Sequence, residues 1–277
     1  MKLNSVTRRG FLGTAAVLSS GQAIRLEAGR TAPGELKLGV ASYSLRKFSR
    51  PDAIKMLKDL GVKYVSIKSF HLPYELSQAD LTKGGQEFRD AGLTILSGGN
   101  IDLKKPDELR SMFDYAKASG IPMMICAPTQ ATIDAVEKLV QEYNNKIAIH
   151  NHGPEDKFFP TPESALKAVA GRDQRMGLCI DVGHSTRTGA DIVEWARIAG
   201  PRLFDVHVKD LRDLLDKDSQ CEVGDGAMPI VALFKQLKAM NYQGGVMLEY
   251  EIKADNPFSG MLQSIAYMRG VLDGLAA

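Results

Sequence analysis

Four short segments of the chain carry side chains able to bind a metal ion or move a proton, and each closes a β-rich run. They read Ile147-Ala148-Ile149-His150-Asn151-His152-Gly153, Cys179-Ile180-Asp181-Val182-Gly183-His184, Asp205-Val206-His207-Val208-Lys209-Asp210 and Met247-Leu248-Glu249-Tyr250-Glu251. Alternate residues of a strand share a face, so His150 points with His152, His207 with Lys209, and Glu249 with Glu251. Asp181, His207 and Glu249, converging from successive strand ends, make a mixed nitrogen and oxygen donor set suited to one divalent ion, Mn²⁺, Mg²⁺, Co²⁺ or Zn²⁺. Any one of them alone reads as an ordinary hydrogen-bonded rim residue; their convergence favours the metal. His150 is a candidate fourth ligand. His152 is a candidate substrate contact, with loop packing as its alternative role. Lys209, on the face of His207, would reach a substrate oxygen. A fifth segment, Ser66-Ile67-Lys68-Ser69-Phe70-His71-Leu72-Pro73-Tyr74, offers Lys68 and His71 as contacts to a substrate hydroxyl or as proton donors.

Such residues need a frame that brings distant strand ends together. From Leu36 onward, β-rich runs alternate with amphipathic segments about eight times. The strand candidates are Lys37–Tyr43, Tyr64–Phe70, Thr94–Ser97, Met123–Ala127, Lys146–His150, Gly177–Asp181, Leu203–Val208 and Val246–Tyr250. Between them, Gly61, Gly92, Gly120, Gly171, Gly200 and Gly244 fall where a helix would end and a strand begin. A doubly wound open sheet shows the same alternation but gathers its functional residues at one switch point. Here they come from many strand ends, first and last included, which favours an α/β fold of the (β/α)₈ TIM barrel type in a single domain. The longest irregular stretch, Asp210 to Gly226, has the length of a lid or binding loop.

Composition narrows the partners. In 277 residues, 35 Lys and Arg nearly cancel 33 Asp and Glu, so no net field attracts nucleic acid or an acidic membrane. A small neutral ligand fits better. The N-terminus reads differently from the rest: Thr7-Arg8-Arg9-Gly10-Phe11-Leu12 precedes an apolar run through Ala15, Ala16, Val17 and Leu18, a pattern similar to a twin-arginine export signal. Residues 1–30 are therefore assigned to export and 31–277 to the barrel, which places the protein in the periplasm or otherwise outside the cytoplasm. Ala28-Gly29 offers a cleavage point that Arg25 and Glu27 disfavour, and the cleavage site stays open. No other apolar stretch approaches the roughly 20 residues of a membrane span. Of the three cysteines, Cys126 and Cys179 sit in apolar runs and read as buried hydrophobes, while Cys221 reads as a free thiol in a polar loop. Association into a homo-oligomer is left open.

Taken in order, Asp181-Val182-Gly183-His184, His207-Val208-Lys209-Asp210 and Leu248-Glu249 resemble the motifs of the xylose isomerase-like barrel superfamily of sugar phosphate isomerases and epimerases, and the resemblance spans the mature region. It implies a divalent metal held by an acidic residue after strand 5 together with Asp181, His207 and Glu249. At the strand-5 position this chain has His150, where epimerases carry a Glu that also serves as a base. Catalytic roles then fall to Glu249, His150 and Lys209, and His184 is similar to a substrate-binding or supporting histidine of the family. Gly224-Asp225-Gly226 looks like the family's glycine-rich turn; the spacings of a phosphate cradle are absent. In such enzymes the metal polarises a carbonyl and stabilises an enediolate.

Two outcomes share that first step. In one the proton returns, giving an isomerase or epimerase. In the other a β-oxygen leaves, giving a lyase or hydratase of a keto-sugar or 3-keto-glycoside, and a His-rich strand-5 end is similar to inosose dehydratase-like members. Export disfavours phosphorylated sugars. An endonuclease IV-like phosphodiesterase needs three zinc ions and more ligands than five His allow, and a non-catalytic sugar-binding barrel would show loss of a metal ligand, for which His150 is the candidate.

Overall fold

The alternation read from the sequence is that of a closed barrel. The computed structural model describes residues 35–276, so the Arg8-Arg9 export signal and the candidate cleavage point after Ala28 lie outside the described residues. The barrel strands are β1 (Lys37–Ala41), β2 (Tyr64–Ile67), β3 (Thr94–Leu103), β4 (Met123–Pro128), β5 (Lys146–His150), β6 (Met176–Asp181) and β7 (Leu203–Val208). After a hairpin of β8 (Asp210–Leu211) and β9 (Gln220–Cys221), the last barrel strand follows as β10 (Gly245–Leu248). β10 pairs in parallel with both β1 and β7, closing the order β1-β10-β7-β6-β5-β4-β3-β2. That closure excludes the open sheet.

The helices are α1 (Arg50–Asp59), α2 (Gln78–Asp90), α3 (Leu109–Ser119), α4 (Ile133–Tyr143), α5 (Pro162–Val169), α6 (Val182–Thr186), α7 (Ile192–Ala199), α8 (Ile230–Ala239) and α9 (Phe258–Gly274). Local chemistry sets their ends. Ser49 and Ser77 accept the backbone N–H of Asp52 and Asp80, and Thr161 forms a capping box with Ser164. Five of the six expected glycines, Gly61, Gly92, Gly120, Gly171 and Gly200, take positive φ after their helices. Gly244 does not: Asn241 (φ 51) ends α8 instead. A Cβ on Gly244 would stand 2.2 Å from the Phe204 carbonyl oxygen, so close approach explains the glycine there.

Val40, Val65, Ile147, Ile149, Leu178, Ile180, Val206 and Leu248 join the helices' apolar faces in one buried core. Met123, Ile125, Ala148 and Cys179 form a second cluster, from residues that alternate with those of the first. Cys126 and Cys179 are buried, as expected. Cys221 is a free thiol, but it is buried in β9 rather than lying in an open loop. The reason is Asp210, whose carboxylate accepts the N–H groups of Leu211, Gly224, Gly226 and Met228 and winds the 210–226 segment around itself. Gly224-Asp225-Gly226 is thus a turn about a carboxylate. Among the described residues, no helix is long and apolar enough to cross a membrane.

Candidate metal centre

β5, β6, β7 and β10 are consecutive neighbours in the barrel, and the C-terminal end of each delivers one donor. His150 Nε2 lies 3.1 Å from His207 Nδ1 and 3.7 Å from Asp181 Oδ2, and His207 Nδ1 lies 3.4 Å from Glu249 Oε2. The donor atoms of His150, Asp181, His207 and Glu249 all lie within 4.8 Å of one another, and all four residues are buried.

The two carboxylate donors are aimed by specific contacts. Asp181 Oδ1 accepts the backbone N–H of His184 at 2.8 Å and so caps α6, which turns Oδ2 toward the other donors. Asn151 joins β5 to β6: its Oδ1 accepts Asp181 N–H at 3.0 Å and its Nδ2 donates to Ser185 Oγ at 3.0 Å. The segment after β10 is gripped from both sides. Ser44 Oγ accepts the N–H of Tyr250, Arg46 donates to the Glu251 carbonyl, and Gln220 on β9 donates to the Glu249 carbonyl while accepting the Glu251 N–H. The long loop read as a lid or binding element therefore includes a hairpin that clamps Glu249.

Lys209 crosses this group. Its Nζ stands 3.0 Å from Asp181 Oδ2, 3.1 Å from Glu249 Oε2 and 2.5 Å from Glu251 Oε2. Burial alone would weaken its proton affinity, but Asp181, Glu249 and Glu251 outweigh that and hold the ammonium well above its ordinary pKa. Burial likewise opposes the charge on Glu249, yet Lys209 and His207 hold its carboxyl well below the usual range. His207 is raised by Glu249 despite its burial, whereas burial, with His152 and His207 alongside, pushes His150 well below its ordinary value. His150 is thus a neutral imidazole, the form that binds a metal or accepts a proton.

The remaining candidates separate. His152 Nε2 meets Asn100 Nδ2 at 2.8 Å and its Nδ1 lies 3.1 Å from Asp156 Oδ2, while its ring packs on His150 with centroids 4.4 Å apart. Burial lowers its pKa, and in the neutral ring Nε2 accepts from Asn100 Nδ2, which leaves the proton on Nδ1. His184 faces the centre with Nε2 4.0 Å from Asp181 Oδ2, and its Nδ1 meets Arg187 at 2.9 Å, itself paired with Glu155. Lys68 is half-buried, its ammonium 5.1 Å over the Tyr43 ring and its pKa lowered by burial. His71 does not fit the expected substrate contact. Its ring is buried, with Nδ1 2.9 Å from Ser42 Oγ and Nε2 3.2 Å from the Leu45 carbonyl, so both nitrogens are committed to the 3₁₀ turn after β1. Asn100, Asn151 and Asp156 support the centre without having been singled out from sequence, and Glu251, placed by the pattern on the face of Glu249, had been given no role.

Two imidazole nitrogens and two carboxylate oxygens turned toward one another suit a divalent cation. Asp181 Oδ2 is buried and, although Lys209 Nζ stands 3.0 Å away, accepts no well-aligned hydrogen bond, so the donor set fits a metal ion.

A closed barrel with such a set on its C-terminal rim is a TIM barrel carrying a candidate metal site. The chain belongs to the xylose isomerase-like TIM barrel family, whose model matches residues 54–271. It is 27% identical over 133 residues to the rhizopine catabolism protein MocC of Rhizobium meliloti, covering 43% of this chain and 40% of that one. It is 38% identical over 65 residues to 3-dehydro-D-guloside 4-epimerase of Escherichia coli K12, covering 22% and 25%. The chain thus matches two fifths or less of these relatives' lengths. In fold it is similar to the 3-keto-D-glucoside 4-epimerase YcjR of E. coli (TM-score 0.66, 16% identity, 85% of this chain and 100% of that one). It is also similar to the probable 3-DHS dehydratase AsbF of Bacillus anthracis (0.71, 12%, 84% and 99%) and to the IOLI protein with a zinc atom (0.70, 20%, 86% and 99%).

Proposed function

We propose that the protein is a divalent-metal-dependent sugar isomerase or epimerase that removes a proton next to a carbonyl. The observation that carries this reading is the convergence of His150, Asp181, His207 and Glu249 within 4.8 Å on neighbouring strand ends. These four would hold the ion. When bound, it would supply Lewis acidity at the substrate carbonyl. Glu249, kept ionised by Lys209, is the carboxylate that takes the proton from carbon, and the electrons of the broken C–H bond pass to the carbonyl oxygen as an enediolate. Lys209, held as an ammonium, donates a hydrogen bond to a substrate oxygen. Neutral His150 serves as a ligand through the single lone pair of its ring. His184 and Lys68 face the substrate, and His152 fixes the outer side of His150. Similarity to sugar 4-epimerases and to the zinc-containing IOLI protein supports this reading.

A second reading, elimination of a β-oxygen from a keto-sugar or 3-keto-glycoside, is favoured by one observation: the donor at the end of β5 is the imidazole of His150, where the family resemblance implies a second carboxylate to return the proton. The likeness to a dehydratase supports it. The export signal expected in residues 1–30 would bring the enzyme to free or oxidised sugars rather than phosphorylated ones. The test is to load the protein with metal, offer keto-sugars and 3-keto-glycosides in D₂O, and follow exchange and products by NMR. Solvent exchange with an isomeric product supports the first reading, and an unsaturated product or released aglycone the second. Glu249→Gln should lose both the ion and exchange, and full exchange by metal-free protein would overturn the metal reading.

A further inference from the structure

We infer that Glu251, a carboxylate outside the donor set, sets the metal affinity of the centre by drawing the Lys209 ammonium away from Asp181 and Glu249. The inference rests on the metal reading above. A divalent ion and the Lys209 ammonium are like charges that seek the same two carboxylate oxygens, Asp181 Oδ2 and Glu249 Oε2, which Nζ approaches to 3.0 and 3.1 Å. The Lys209 side chain is only 4% exposed, so neither water nor salt screens that competition well.

Glu251 gives the ammonium another partner. Its Oε2 is nearer, at 2.5 Å, and its side chain is 34% exposed, so it lies on the solvent side of the group. Its backbone is fixed by Arg46 and Gln220, which makes the position a built one. Charge closes with it in place. Asp181, Glu249 and Glu251 carry three negative charges, against one on Lys209 and two on a divalent ion. Without Glu251, the same buried group becomes cationic on binding the ion, and Lys209 has only the metal's own carboxylates to turn to. Lys68, over the Tyr43 ring, and Arg187 act on these carboxylates from farther off, while Lys209 is, among the described residues, the lysine or arginine within ion-pair distance of them. Glu251 is thus a positioning residue that acts through Lys209.

The experiment is metal titration, independent of turnover. Full-length protein stripped with EDTA is titrated calorimetrically with Mn²⁺ and with Zn²⁺, in the wild type, Glu251→Gln, Lys209→Met and the double variant, each checked for folding by circular dichroism. Glu251→Gln should weaken binding by about 10- to 100-fold, the range seen when a partner of a metal ligand is lost. Lys209→Met should bind at least as tightly as the wild type. In the Lys209→Met background, Glu251→Gln should change nothing further. Unchanged affinity in Glu251→Gln overturns the inference, as does an equal loss in both backgrounds, since Glu251 would then act without Lys209. A wild type that binds neither ion brings down the metal reading itself, and the inference with it.

Discussion

Gly183 and Lys209 occupy one another's space: a Cβ on Gly183 would stand 2.7 Å from both Cγ and Cδ of the Lys209 side chain. The third residue of the Asp181-Val182-Gly183-His184 motif is therefore the passage for the lysine of His207-Val208-Lys209-Asp210. The two motifs are one packing unit.

A double-mutant cycle tests that relationship. Gly183→Ala should cost about 1–3 kcal/mol by overpacking, measured by urea denaturation. In a Lys209→Ala background the clash is gone. Alanine, the better helix former by about 1 kcal/mol, should then be neutral or stabilising at this position in α6. Equal costs in both backgrounds would show that the glycine answers to something other than the lysine.

A pH dependence follows from Glu222, which lies just after β9. It is buried and accepts hydrogen bonds from Lys253 Nζ at 2.6 Å and Tyr250 Oη at 2.7 Å. Lys253 chiefly, with Tyr250, outweighs burial and holds the carboxyl at about 2, against an ordinary 4.5. A depressed folded-state pKa contributes stability that is full above the unfolded value and is lost as pH falls through the folded one. Lys253 is half-exposed, so solvent screens its share. Glu222→Gln should accordingly destabilise by about 1 kcal/mol at pH 7. That difference should shrink as the pH falls from about 4.5 toward 2. A gap that stays constant down to pH 3 in denaturation curves would mean that Glu222 acts by shape alone.

How much of this was readable beforehand depended on what each residue's role rests on. The barrel was legible because every βα unit carries its own punctuation, and the convergence of His150, Asp181, His207 and Glu249 was legible because a strand's period of two assigns their face from local sequence. Asn100 was not. Ser97-Gly98-Gly99 reads as the end of a strand, yet pairing with β4 carries β3 through an irregular register to Leu103, and Asn100 arrives beside His152. His71 misled for the opposite reason. Its neighbourhood depends on Ser42 and Leu45, in a stretch that begins within the strand expected over Lys37–Tyr43 but folds as a 3₁₀ turn from Ser42. Glu251 lay on the same face as Glu249 in the sequence pattern. Only the path of Lys209 gives it a task.

Localisation rests on residues outside the described ones. If Arg8 and Arg9 direct export by the twin-arginine route, replacing both with Lys should leave the protein in the cytoplasm, folded and active, because that route carries folded cargo. Fractionation with an activity or antibody readout decides it. Unchanged export of the variant would remove the twin-arginine assignment.

The choice between proton return and elimination turns on His150. In a two-carboxylate epimerase one Glu removes the proton from one face of the sugar and the other returns it from the opposite face. Here the second position holds an imidazole that burial, with His152 and His207 beside it, keeps neutral. As a ligand it adds no negative charge to the donor set, and its one lone pair, once given to the metal, is not free to carry a proton. Proton return to the opposite face then slows relative to loss of a β-oxygen. His150→Glu should reverse this, raising epimerisation over elimination by about tenfold or more when a keto-sugar and its 3-keto-glycoside are compared by NMR, with metal content measured alongside. The added charge should also hold a divalent ion more tightly, provided the buried carboxylate stays ionised next to His207. A wild type that already epimerises efficiently, with a variant unchanged in both product ratio and metal content, would make His150 a bystander and leave the isomerase reading to stand on Glu249 and Lys209.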